Sequence, residues 1–209
     1  MNILAQMIKE HPALVVCEEN ILQAYELLKI TYEKGGKVLV CGNGGSAADS
    51  EHIVGELMKG FMLPRKIPAN MQAKIKLAAA TNGDYISDNL QGALPAISLV
   101  SQSAIISAYA NDIAADMIFA QQVYGYGKAE DCFIGLSTSG NAKNVLYAAE
   151  TAKALGLKTI AFTGQSGGML KDVCDVTIRV PSDSTPRIQE YHLPIYHTLC
   201  MMVEEAFFG

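Results

Sequence analysis

The stretch from Val38 to Glu56, VLVCGNGGSAADSEHIVGE, limits the possible folds more than any other part of the chain. Val38-Leu39-Val40 is a short apolar run rich in β-branched residues, which reads as a fully buried strand. The chain then breaks into Gly42-Asn43-Gly44-Gly45-Ser46, and a helical pattern follows to about residue 62. Strand, glycine-rich turn and helix together present free backbone N–H groups to an anion at the positive end of the helix. Glycines let that turn adopt φ > 0 and approach a ligand closely. Ser46 can cap the helix or donate its hydroxyl to a phosphate. His52 and Glu56 stand four residues apart and share one helix face. The turn is not a standard nucleotide motif: it lacks the Lys-Ser/Thr ending of a P-loop and does not match GxGxxG. It points to a small phosphorylated ligand with chemistry beside it, against the plainer reading of a tight strand-to-helix turn.

The same pattern returns downstream. Asp131 to Ser137 reads as a strand that ends in Ser137-Thr138-Ser139-Gly140-Asn141, with a helix to Leu155. Three hydroxyls and a helix start can hold a phosphate, or merely cap a helix. Further strands are expected at Ala96–Val100, Lys158–Thr163 and Cys174–Val180. Five strands alternating with helices imply a parallel sheet with helices on both faces. Ligands bind such sheets at the carboxyl ends of the strands, where Ser46 and Ser137 to Ser139 fall.

The remainder frames this unit. Residues 1 to 35 read as an extra N-terminal helical segment, broken near Pro12 and packed on a partner subunit or on its own domain. Residues 63 to 92 read as an insertion with broken helices, too short for a core of its own. Asn111-Asp112 is expected to start a helix to about Tyr124, with Asp112 as N-cap. At 209 residues the chain is expected to be one domain. A net charge of −5 without a basic stripe argues against nucleic acid. The most apolar stretch, Ala93 to Ala110, is too polar to span a membrane. Five scattered cysteines without a CxxC pair suggest reduced, buried thiols in a cytoplasmic protein.

The last helix, from about Arg187 to Phe208, carries Gln189, Glu190, His192 and His197. Histidines on a mostly apolar helix are more often core or interface residues than ligands. Taken together, however, Gly42-Asn43-Gly44-Gly45-Ser46, His52, Glu56, Asn111-Asp112, Ser137-Thr138-Ser139-Gly140-Asn141, Arg187-Ile188-Gln189-Glu190 and His197 resemble the phosphoheptose isomerases, members of the sugar isomerase (SIS) domain class. The resemblance runs from about Gly36 to the C-terminus. It implies a flavodoxin-like three-layer αβα sandwich, a homotetramer with active sites between subunits, and a phosphorylated sugar as substrate. It further implies one zinc ion per subunit at His52, Glu56, Gln189 and His197. Sugar-phosphate contacts are implied for Asn43, Gly44, Gly45, Ser46, Glu56, Asn111, Asp112, Ser137, Thr138, Ser139 and Gln189. The chain departs from the pattern at Ala142, where a phosphate-holding serine is usual, at Pro186, where many relatives have aspartate, and in a longer 63–92 segment.

The implied reaction interconverts a ketose phosphate and an aldose phosphate, sedoheptulose 7-phosphate in the first instance. Such a reaction moves a proton between C1 and C2 through an enediol and needs a base for carbon and an acid or metal for oxygen. Glu56 is the candidate base and His197 the candidate acid, unless both serve only as zinc ligands. On one straight helix Gln189 and His197 lie about 12 Å apart along the axis and roughly 80° apart around it. Gln189 must therefore precede the regular helix, the helix must bend at Pro194, or two chains must share the site. His192 competes with His197 on spacing alone; the family motif favours His197. The alternatives are an isomerase of another sugar phosphate and a non-catalytic SIS protein that binds a phosphosugar in a regulatory role. Retention of His197 with the His52/Glu56 pair favours the enzyme.

Overall fold

In the computed structural model, which describes residues 3–209, alternation of apolar strands and amphipathic helices produces three layers. The strands are β1 (Val38–Gly42), β2 (Ala96–Ser98), β3 (Cys132–Leu136), β4 (Lys158–Thr163) and β5 (Val176–Arg179). They form one parallel sheet in the order β2-β1-β3-β4-β5. Each strand residue alternates faces, so one apolar run feeds two cores. Val38, Val40, Ile134 and Phe162 face α2 (Glu18–Glu33), α3 (Gly45–Met58) and α10 (Thr185–Phe208). Leu39, Cys41, Phe133 and Ala161 face α7 (Ile118–Tyr126), α8 (Lys143–Ala154) and the short α9 (Leu170–Val173). This is the expected αβα sandwich with flavodoxin-like strand order.

The N-terminal segment forms α1 (Ile3–Glu10), a 3-10 turn at Pro12–Cys17 and then α2. Leu4 and Met7 bury against the core that α10 completes. The 63–92 segment carries α4 (Ala69–Ala78) and α5 (Gly83–Asn89), which pack on each other; α4 buries no residue. Its base is pinned where Gly92 N–H donates to Arg65 O at 2.6 Å.

Several expected boundaries move. The strands expected at 96–100 and 174–180 are shorter, and α3 stops at Met58 where Lys59 turns extended. The helix expected from Asn111-Asp112 does not start there. Instead α6 (Ser103–Asp112) runs through to Asp112, its last residue. Ser103–Asp112 contains no proline or glycine to stop it. The break falls at Ile113–Ala114, whose N–H groups both close on Tyr109 O. A 3-10 turn at Ala115–Met117 then leads into α7. Asp112 is thus a C-terminal residue, not an N-cap.

Candidate active site

The strand order changes direction between β1 and β3, since β1 leads on to β2 on one side and β3 to β4 on the other. Ligands of open α/β sheets bind at this switch point, beyond the carboxyl ends of the strands. Gly42 pairs with Leu136 in register, so the turns that follow β1 and β3 leave the sheet side by side. A reciprocal amide pair ties them: Asn43 and Asn144 each donate Nδ2 to the other's Oδ1 at 2.9 Å.

In the first turn Gly44 caps α3 with φ +55° and open space around it. Ser46 lies within the first turn of α3 and is buried. The reading of Ser46 as a side-chain cap is corrected: the cap residue is Gly44, with no side-chain cap bond. In the second turn Ser137 is buried, Thr138 half-buried and Ser139 exposed. Ala142 N–H reaches Ser137 Oγ at 3.4 Å, and Asn141 N–H donates to Ser139 Oγ at 3.1 Å. Gly140 turns the chain back with φ +68°, and a Cβ there would overlap the Gly167 carbonyl. Gln189 completes the edge from α10: a Cβ on Gly45 would lie 2.6 Å from Gln189 Nε2. Asn43, Gly44, Gly45, Ser137, Thr138, Ser139 and Gln189 are therefore gathered at one end of the sheet.

A second cluster lies further along α3 and α10, which run parallel. His52 Nε2 stands 3.3 Å from Glu56 Oε1, and Lys59 Nζ 3.0 Å from Glu56 Oε2. The His197 ring meets the His52 ring edge-on at 4.9 Å between centroids. His197 Nε2 is buried without a hydrogen-bond partner. Burial, and repulsion by His52 when that ring is protonated, push the His197 pKa down from its ordinary value, against the pull of Glu56. The Tyr196 hydroxyl donates to Asp49 Oδ1 at 3.2 Å and lies 3.0 Å from His52 Nδ1. Burial raises the Asp49 pKa above 3.8, opposed by Tyr196 and His52. A cavity of about 450 Å³ between α1 and α10, lined by Met7, Leu193, Pro194 and Met201, opens beside His197.

The two clusters are separate within the chain. Gly45 and Glu56 stand about 16 Å apart along α3. Gln189 does not precede the helix; it lies inside α10, which continues through Pro194 to His197. Within one chain it sits with the turns, so of the three expected routes to His52 and His197 a site shared by two chains is the one left. Among the described residues no three His, Cys, Asp or Glu side chains close around a metal position. The donor types of His52, Glu56 and His197 nevertheless suit zinc, and the orphaned His197 Nε2 lacks any other partner. His192 is settled as a core residue: fully buried, 3.3 Å from Thr163 O, its pKa lowered by desolvation to about 4. Asn111 and Asp112 sit exposed at the end of α6, bonded to each other at 2.8 Å. Sequence reading missed Asn144, Asp49 and Tyr196. Only adjacency to His197 for Tyr196, and the shared helix face of Asp49, His52 and Glu56, hinted at them.

The SIS domain family model matches residues 13–86 and 77–164. A phosphoheptose isomerase of Helicobacter pylori is 42% identical over 190 residues, 91% of this chain and 85% of its own. Phosphoheptose isomerase 1 of Campylobacter jejuni is 36% identical over 211 residues, 99% of this chain and 100% of its own. The structure of a phosphoheptose isomerase from Neisseria gonorrhoeae superposes with a TM-score of 0.75 at 31% identity, covering 96% of this chain and 94% of that one. Identity of this order over nine-tenths of its residues places the chain in a family as well as a fold: it belongs to the phosphoheptose isomerases of the SIS-domain class.

Proposed function

We propose that the protein interconverts sedoheptulose 7-phosphate and D-glycero-D-manno-heptose 7-phosphate. One observation carries this reading: two turns suited to an anion are tied side by side at the switch point, and a His/Glu pair lies further along α3, the helix that leaves the first of them. The phosphate is held by N–H groups of the glycine turn and hydroxyls of Ser137, Thr138 and Ser139. Gln189 contacts the sugar beside them. Glu56 takes the proton from C1 of the ketose and returns it to C2. His197 gives a proton to the C2 oxygen and removes one from the C1 oxygen; a neutral imidazole N–H suffices for that donation.

Geometry also favours a shared site. An extended heptose 7-phosphate spans about 10 Å from C1 to phosphorus, at bond lengths of about 1.5 Å. That is shorter than the axial rise between the turn and Glu56 on one chain, so a second copy supplies the Glu56 that acts on a given phosphate. A homotetramer with sites between subunits is the assembly we propose. Zinc at His52, Glu56 and His197, supported by the donor set and the partnerless His197 Nε2, is the other form of this proposal, in which Glu56 and His197 would serve as ligands and not as base and acid. When bound it would polarise the substrate carbonyl. The five free cysteines, four of them buried, accord with a reducing cytoplasm. No helix among the described residues is long and apolar enough to cross a membrane.

Turnover of sedoheptulose 7-phosphate by the purified protein tests the reading directly; no turnover, with the sugar phosphate still bound, leaves a phosphosugar-binding protein. Ser137→Ala removes one charge-assisted hydrogen bond of roughly 1.5–3 kcal/mol. It raises KM about tenfold or more at little change in kcat. Steady-state kinetics check this, and an unaltered KM moves the phosphate away from Ser137.

A further inference from the structure

Tyr196 has no obvious place in the chemistry, yet its hydroxyl sits between two members of the second cluster. The side chain is 2% exposed. Its oxygen lies 3.2 Å from Asp49 Oδ1 and 3.0 Å from His52 Nδ1. A phenol has one proton to give, and an ionised carboxylate can only accept. The Tyr196 proton therefore points at Asp49, and its oxygen must accept from His52. We propose that Asp49 and Tyr196 are positioning residues that hold His52 with its proton on Nδ1 and its Nε2 lone pair toward Glu56.

The consequence lies on the other side of the ring. Nε2 and Glu56 Oε1 are 3.3 Å apart, and in this tautomer both are acceptors. Lys59 offsets charge at Oε2 only, from 3.0 Å. The gap then calls for an electrophile between the two atoms, either a hydroxyl proton of the sugar or a divalent cation. The opposite tautomer would close the gap with an internal hydrogen bond and remove His52 and Glu56 from use. The chain of contacts crosses from α3 to α10 and back, so it also fixes the ring angle that His197 meets edge-on. Partners of this kind behind a functional histidine typically matter by about tenfold to a hundredfold.

This inference rests on His52 and Glu56 belonging to the reacting centre, but its first test does not need activity. Nitrogen-15 NMR of the histidine side chains in the full chain as purified should show His52 Nδ1 protonated. A protonated Nε2 with Nδ1 as acceptor overturns the proposal. Tyr196→Phe keeps the ring and its packing and removes only the hydroxyl. It should lower kcat at least about tenfold, leave KM and the melting temperature near wild type, and loosen the His52 tautomer signature. Wild-type kcat in that variant also overturns the proposal. Failure of the wild type to turn over sedoheptulose 7-phosphate would instead strike the functional reading, with the NMR result still deciding the tautomer.

Discussion

Glu204→Ala costs about 3–5 kcal/mol of folding stability, the range seen when one member of a buried ion pair is removed. Glu204 and Arg65 are each 1% exposed. Glu204 Oε1 accepts from Phe61 N–H at 2.7 Å and from Arg65 Nε at 2.8 Å; Oε2 accepts from Met62 N–H at 2.7 Å and Leu63 N–H at 3.2 Å. Arg65 passes the contact on, donating Nη1 to Leu57 O at 2.6 Å and Nη2 to Glu56 O at 3.0 Å. The carboxylate thus binds the bend after α3 to the end of α10, while the guanidinium satisfies the last carbonyls of α3. Loss of Glu204 strands a buried cation and three backbone N–H groups at once. Burial alone would raise the Glu204 pKa, but the N–H groups of Phe61 and Met62 and the Arg65 charge outweigh it and hold it below 4.5. A depressed pKa means that this stabilisation is complete above pH 4.5 and is lost as pH falls from there through the folded value. Urea unfolding at neutral pH and on acidification checks both statements. A loss under about 1 kcal/mol, as at an exposed pair, would mean that the bend re-forms without its anchor.

None of this lock was visible in the sequence, because Arg65 and Glu204 are far apart along the chain and neither carries a motif. What could be read was local. The run Val38 to Val40 and its glycines announced strand, turn and helix because apolar period and turn chemistry agree over a few residues. The hydroxyl turn after β3 was legible for the same reason, and two such units fixed a parallel sheet. Asn111-Asp112 misled because a polar pair resembles a start signal, while the helix-compatible run before it simply continued to Asp112. Gln189 stood out only through its motif, and spacing already showed that it and His197 could not meet on a straight helix. Which of the two readings of His192 holds depended on burial, and burial depends on α10 crossing the end of β4 at Thr163. Asp49 and Tyr196 were out of reach for a similar reason: their roles arise only where α3 and α10 touch.

Glu56→Gln lowers turnover by about 10²–10⁴-fold, the usual contribution of a general base, because an amide cannot take the proton from carbon. Fold and phosphosugar binding persist, since the amide retains the shape of a largely buried side chain whose close cationic partner is the exposed Lys59. Retained turnover would remove Glu56 from the mechanism. The more discriminating form uses two inactive chains. Ser139→Asp places a carboxylate at an exposed position of the hydroxyl turn, where it repels a phosphate. Each variant alone is inactive for a different reason. If the turns of one subunit serve the Glu56 of another, co-assembled chains contain sites with an intact turn from the Glu56→Gln copy and an intact carboxylate from the Ser139→Asp copy. Random mixing in equal amounts restores roughly a quarter of the sites in a closed symmetric oligomer. Were both elements drawn from one chain, every site in the mixture would carry one lesion, and turnover would stay at the level of the separate variants. Subunit exchange followed by a rate measurement distinguishes the cases. Recovery would also explain the separation of the two clusters: the distance between Gly45 and Glu56 on α3 is too long for one chain's substrate but is no obstacle when the helix carries two half-sites to two neighbours.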